Sequence, residues 1–153
     1  MARGSTGQRL PWHGWLVAAV ILFMYANGAW DFVKTMTADA GYLRAKGFAD
    51  GAEAYFTDYP IPLMLLFAAN VLGALGAAVA LLLRSRFAVG LAVLSAAAMA
   101  VLDGITFTLR GRWSALGPFV GWFDVGLLAM TVGFAAYCVW CGQRGLLRAP
   151  QGS

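Results

Sequence analysis

Four apolar stretches, Trp15–Val33, Ile61–Leu83, Phe87–Leu109 and Phe119–Cys141, fill most of this 153-residue sequence. Each is 19 to 23 residues long, and a helix rising about 1.5 Å per residue needs roughly 20 residues to cross about 30 Å of hydrocarbon. Lipid offers no hydrogen bonds to a bare backbone, so spanning segments must be helices or a closed barrel. Leu, Ala, Val and Phe without strict alternation exclude the barrel. The sequence predicts an all-α integral membrane protein, one domain over residues 1–153, built as a bundle of four transmembrane helices at about 15–33, 61–83, 87–109 and 117–141.

Composition follows the same logic. Hydrophobic residues make up 61% of the chain and charged residues only 12%, so the charges are left to the gaps between spans. Arg3 and Arg9 before the first stretch imitate a secretory leader with a weak cleavage site at Ala26-Asn27-Gly28. The apolar run continues to Val33, however, and the first helix is expected to stay as an anchor.

Four spans put both termini on one side. That side carries Arg3, Arg9, Arg84, Arg86, Arg144 and Arg148, against Lys34, Arg44, Lys46, Arg110 and Arg112 on the other. The basic residues place the termini in the cytoplasm, and Asp39, Asp50, Glu53 and Asp58 fall in the outer loop 34–60. The net charge of +4 is then topology and contact with anionic headgroups. No basic stripe with interleaved aromatics suggests a nucleic-acid partner; the expected partners are the lipid bilayer and either further copies of the chain or a larger membrane complex.

The outer loop is expected to lie on the membrane surface as two short helical pieces broken at Gly47 and Gly51, with Thr37 as an N-cap and Tyr42, Leu43, Phe48, Tyr55 and Phe56 as anchors. It is either a lid over an outward cavity or a plain interfacial segment. Pro60 and Pro62 start the second span; Ser114 can cap and Pro118 can open the fourth. Gly73, Gly76, Ala77 and Ala80, and Gly90, Ala97, Ala100 and Gly104, have spacings that let helices approach closely, within one bundle or between two protomers.

Polar residues inside the spans carry what functional signal there is. Asn27, Asp31, Asp103 and Asp124 fall within roughly 10 Å of the outer boundary, and Asn70, Ser95 and Thr131 form a deeper layer near the middle. Ionised groups at such depths are costly, so these seven candidate substrate-binding residues are expected to face the bundle interior or a water-filled vestibule. Two readings stay open. They line a path for a cation, a proton or a hydroxylated solute, or they pair as Asp31–Lys34, Asp103–Arg110 and Asp124–Arg112 while the deeper three bond between helices.

Cys138 and Cys141 form a Cys-x-x-Cys pair at the cytoplasmic end without a second pair to relay electrons. With the single His13 they fall short of a zinc site's four ligands. No catalytic motif is recognisable, so neither an enzyme nor a bound metal or cofactor is expected.

The run Asn27-Gly28-Ala29-Trp30-Asp31-Phe32-Val33 with Met36-Thr37, then Tyr55, Tyr59-Pro60, Gly73, Gly76 and Leu81-Leu82-Leu83-Arg84-Ser85-Arg86-Phe87-Ala88 resembles a group of small four-helix bacterial inner-membrane proteins, often labelled sugar transporters. The resemblance covers about residues 15–109 and implies a bacterial inner membrane and an outward first loop. It brings no catalytic residues. Transport of a small polar solute, sugar-like or cationic, by an oligomer is one expectation; a non-enzymatic accessory or assembly subunit of a larger membrane complex is the other.

Overall fold

The computed structural model describes residues 9–148; Arg3, counted above on the terminal side, lies outside them. Seven helices follow in order among the described residues: α1 (Trp12–Met36), α2 (Ala40–Ala45), α3 (Ala52–Thr57), α4 (Ile61–Leu82), α5 (Phe87–Leu109), α6 (Arg112–Leu116) and α7 (Pro118–Gln143). Among the described residues α1, α4, α5 and α7 are long and apolar enough to cross a membrane. The protein is an all-α four-helix membrane bundle, with α2, α3 and α6 gathered at one end, the loop end. The α4–α5 turn marks the other, the turn end.

The chain runs up and down through neighbouring helices, α1 packing on α4, α4 on α5 and α5 on α7. Gly73 on α4 lets α5 come close: a Cβ there would sit 3.1 Å from Ser95 Cβ and 3.2 Å from the Leu91 carbonyl oxygen. Ala74, Ala77, Ala78, Ala88 and Ala92 belong to the core that these helices share. The α5 residues expected to pack, Gly90, Ala97, Ala100 and Gly104, instead lie on its exposed face. Ala88, Ala92, Ser95 and Ala98 take the inward face.

Local chemistry sets the element ends. Arg84 adopts a left-handed φ of 60°, and the Ser85 amide reaches back to the Ala80 carbonyl at 2.8 Å, closing α4 in a Schellman-type cap. The chain after α7 docks on that turn. Arg148 N–H donates to the Arg84 carbonyl at 2.6 Å and Leu146 and Leu147 are buried.

The outer loop does form two short helices, α2 and α3, with Gly47 at a φ of +78° between them. Two capping expectations need correction. Asp39, not Thr37, caps α2, its Oδ1 accepting the Tyr42 amide at 3.0 Å; Thr37 ends α1, where its hydroxyl donates to Val33 and Lys34 carbonyls. The carboxylate outranks the hydroxyl here because the Tyr42 amide and the Lys34 ammonium, 3.0 Å away, both bond it, and together they hold its carboxyl below the usual range. Ser114 lies inside α6 and donates to the Gly111 carbonyl at 2.8 Å, so it caps nothing at the start of α7. Pro118 opens α7 as expected.

Candidate functional site

Two polar layers cross the bundle. In the middle one, Asn70 Nδ2 donates to the Ser95 carbonyl and hydroxyl, each at 3.1 Å, and to the Tyr25 hydroxyl at 3.3 Å. Ser95 Oγ returns a bond to the Asn70 carbonyl at 2.7 Å. The Tyr25 and Thr131 hydroxyls bond each other, and Thr131 also donates to the Leu127 carbonyl at 2.7 Å. All four side chains are buried. The structure thus joins Asn70, Ser95 and Thr131, on three helices, and adds Tyr25 from the fourth. Its phenol reaches from α1 to α7, and at the turn end His13 Nδ1 meets the Tyr137 hydroxyl at 2.6 Å across the same two helices. The layer is closed and self-satisfied.

The loop-end layer is arranged differently. Arg112, the first residue of α6, places Nε 2.6 Å from Asp124 Oδ2 on α7, with the two side chains only 12% and 10% exposed. This is the Asp124–Arg112 pair expected from the sequence. The Asp103–Arg110 pair does not form. Arg110 instead lays its guanidinium 4.6 Å from the Tyr55 ring and 5.1 Å from the Tyr59 ring and donates to the Tyr55 carbonyl at 3.1 Å. At the mouth of the bundle two ring faces and a carbonyl hold a planar cation without burying it against a carboxylate.

Asp103 is left 6% exposed, within electrostatic range of Asp124 and Arg112, and its Oδ2 is fully buried with no hydrogen-bond partner. The Tyr55 hydroxyl, on a side chain 8% exposed, is also buried and unpartnered. Burial pushes the neighbouring Tyr59 phenol up to about 12, so it stays neutral. Buried polar atoms are nearly always bonded. The two exceptions among the described residues both belong to side chains of this end of the bundle.

The remaining candidates sit apart. Asp31 does not pair with Lys34, which turns to Asp39; it accepts the Tyr42 hydroxyl at 2.5 Å and lies 3.7 Å from Lys46 Nζ. Burial and that bond raise the Tyr42 phenol. Asp31 still feels the charge of Asp124, but its partners tie α1 to α2. Asn27 faces outward, contrary to the expected interior position, and donates to its own helix at the Phe23 carbonyl, 2.7 Å away. That local bond removes its need for an interior partner.

Sequence reasoning missed Tyr25 and the cleft of Tyr55 and Tyr59. A tyrosine deep in a span, away from the interface where such rings gather, was the available signal for Tyr25. The aromatic cleft had none, because it depends on how α3 folds over Arg110.

Cys138 and Cys141 are free and buried. Among the described residues no three His, Cys, Asp or Glu side chains come together as a metal site. Grooves of about 570 Å³, beside Leu72, Val79 and Phe87, and about 330 Å³, beside Arg86 and Gln143, lie away from Asp103, toward the turn end. No known protein family, curated protein or solved structure matches the chain. The site is read from its own geometry.

Proposed function

We propose that this chain is a bacterial inner-membrane protein, both termini in the cytoplasm, that takes up a small polar solute at its loop end and works as an oligomer. The observation that carries this reading is the pair of buried, unpartnered atoms, Asp103 Oδ2 and the Tyr55 hydroxyl, beside the Arg112–Asp124 ion pair. An unmet buried polar group costs about 1–3 kcal/mol. A bound solute bearing donors and acceptors removes that cost, whereas a purely structural layer would have closed on itself as the middle one does. The Tyr25–Asn70–Ser95–Thr131 layer is then the barrier beneath the site, and Tyr25 the residue whose release would open it.

A second reading rests on a different observation. The exposed α5 face of Gly90, Ala97, Ala100 and Gly104 is shaped for another helix, which suits an accessory subunit of a larger complex as well as a homo-oligomer. Copurification in mild detergent separates the two: a discrete homo-oligomer supports transport, and constant association with larger proteins supports the accessory role.

Two predictions test the first reading. A reporter active only outside the cytoplasm should give signal when fused after Gly51 and none after Arg148; the reverse pattern turns the site to the cytoplasm. Asp103→Asn keeps size but not charge, so it should leave abundance near wild type while abolishing stabilisation by any solute that protects the wild-type protein in a panel of sugars, polyols and amines. Solute protection that survives in Asp103→Asn removes Asp103 from the site.

A further inference from the structure

We infer that the solute is a small organic cation with N–H donors, a guanidinium or primary ammonium, and that Arg110 is its tethered stand-in; this rests on the loop-end site being the place of binding. Three observations converge. Asp124 is neutralised by Arg112, and Asp103 has no cation paired with it among the described residues. A neutral polyol would give Asp103 Oδ2 one hydrogen bond and nothing more, and an anion would meet two carboxyl groups; a cationic N–H donor gives Oδ2 its hydrogen bond and also favours the ionised form of the buried carboxyl.

The cleft of Tyr55 and Tyr59 already accommodates a guanidinium, that of Arg110, through ring faces and one carbonyl. The same ring faces suit a planar, weakly hydrated cation from solution, which must compete with the tethered one. The two ends also line up. Asp103 lies seven residues before Arg110, two turns or about 10 Å down the same face of α5. The aromatic cleft is then the entrance and Asp103 the floor, with the unpartnered Tyr55 hydroxyl belonging to the ring that walls the entrance.

In this arrangement Arg110 competes with the solute. Its side chain is held at the cleft by the chain itself, so a free cation must displace it, and the apparent affinity falls by the fraction of time the cleft is occupied. When displaced, Arg110 gives up its bond to the Tyr55 carbonyl, while α3 stays packed through Ala52, Tyr55 and Phe56 against Leu116 and Val120.

The test uses the full chain purified in detergent, with methylguanidinium and methylammonium as probes, sorbitol as neutral comparator and sodium chloride matching ionic strength. Melting and a direct binding isotherm are read for each. Methylguanidinium should raise the melting temperature saturably where sorbitol and sodium chloride do not, and Asp103→Asn should weaken its binding at least about tenfold. Arg110→Gln should tighten it about tenfold by removing the tethered competitor. Should Arg110→Gln fold poorly, Tyr59→Leu probes the cleft from the other side, weakening methylguanidinium binding about two- to fivefold through loss of one ring face. Sorbitol protection without protection by either methylguanidinium or methylammonium overturns the cationic assignment and leaves the loop-end site standing. Methylguanidinium binding that ignores Asp103→Asn overturns the inference outright. If no solute shifts any variant, the site itself is lost as well.

Discussion

Arg112→Gln is expected to destabilise the bundle by about 3–5 kcal/mol, the usual cost of removing one member of a buried ion pair. The geometry explains why the effect should be large. Arg112 and Asp124 meet at 2.6 Å with little exposure, so deleting the guanidinium leaves Asp124 without its cationic partner in a layer that already holds the unmet Asp103 Oδ2. The pair also anchors α6, which at five residues is far too short to hold a helical form alone. This pair, buried Leu116 beside Val120, and Trp113, which packs on Trp122 and on Gly121, where a Cβ would lie 2.5 Å from the indole, keep it on α7. Asp124→Asn should cost a similar amount by stranding the guanidinium. Combining Arg112→Gln with Asp124→Asn should cost clearly less than the two together, because neither charge is then uncompensated. Melting curves in detergent for the three variants decide the matter; strictly additive losses would mean that the two side chains act through separate contacts.

The spans were legible because membrane thickness converts directly into a count of apolar residues, and the helices found differ from those expected by a few residues at their ends. The middle layer was legible for a related reason: Asn70, Ser95 and Thr131 are costly in lipid, so their helices must turn them inward. Which small-residue face of α5 packs was not legible. Gly90, Ala97, Ala100 and Gly104 line one helical face with small residues, as Ala88, Ala92, Ser95 and Ala98 line another, and lipid tails do not discriminate between apolar faces as water does.

The partners at the loop end were hidden for another reason. Sequence distance made Lys34 the natural partner of Asp31 and Arg110 that of Asp103, each on one helical face. The fold offered alternatives from elsewhere in the chain: Asp39 for Lys34, Tyr42 and Lys46 for Asp31, and two tyrosine rings for Arg110. Arg112 found Asp124 because α6 folds back on α7, a reversal made by Gly117 at a φ of +92°, a backbone shape open to glycine.

Gly73→Leu is expected to cost about 3 kcal/mol or more, the upper part of the range for overpacking a close contact. A Cβ alone would already stand 3.1 Å from Ser95 Cβ and 3.2 Å from the Leu91 carbonyl oxygen, so the added isobutyl group has room only if α4 and α5 separate. Separation reaches beyond the clash. Asn70 lies one turn before Gly73, and its bonds of 3.1 Å to the Ser95 carbonyl and 2.7 Å from the Ser95 hydroxyl span that same seam. Each such interhelical bond contributes about 0.6–2 kcal/mol, and breaking them also frees Tyr25 from one partner. Gly90→Leu supplies the comparison, because a Cβ there meets nothing within 4 Å and the residue faces outward. In an isolated protomer it should change melting by less than about 0.5 kcal/mol. If Gly90→Leu proves as harmful as Gly73→Leu, then another helix covers that face of α5 in the working protein, and the size of the detergent-solubilised particle should fall in parallel with its stability.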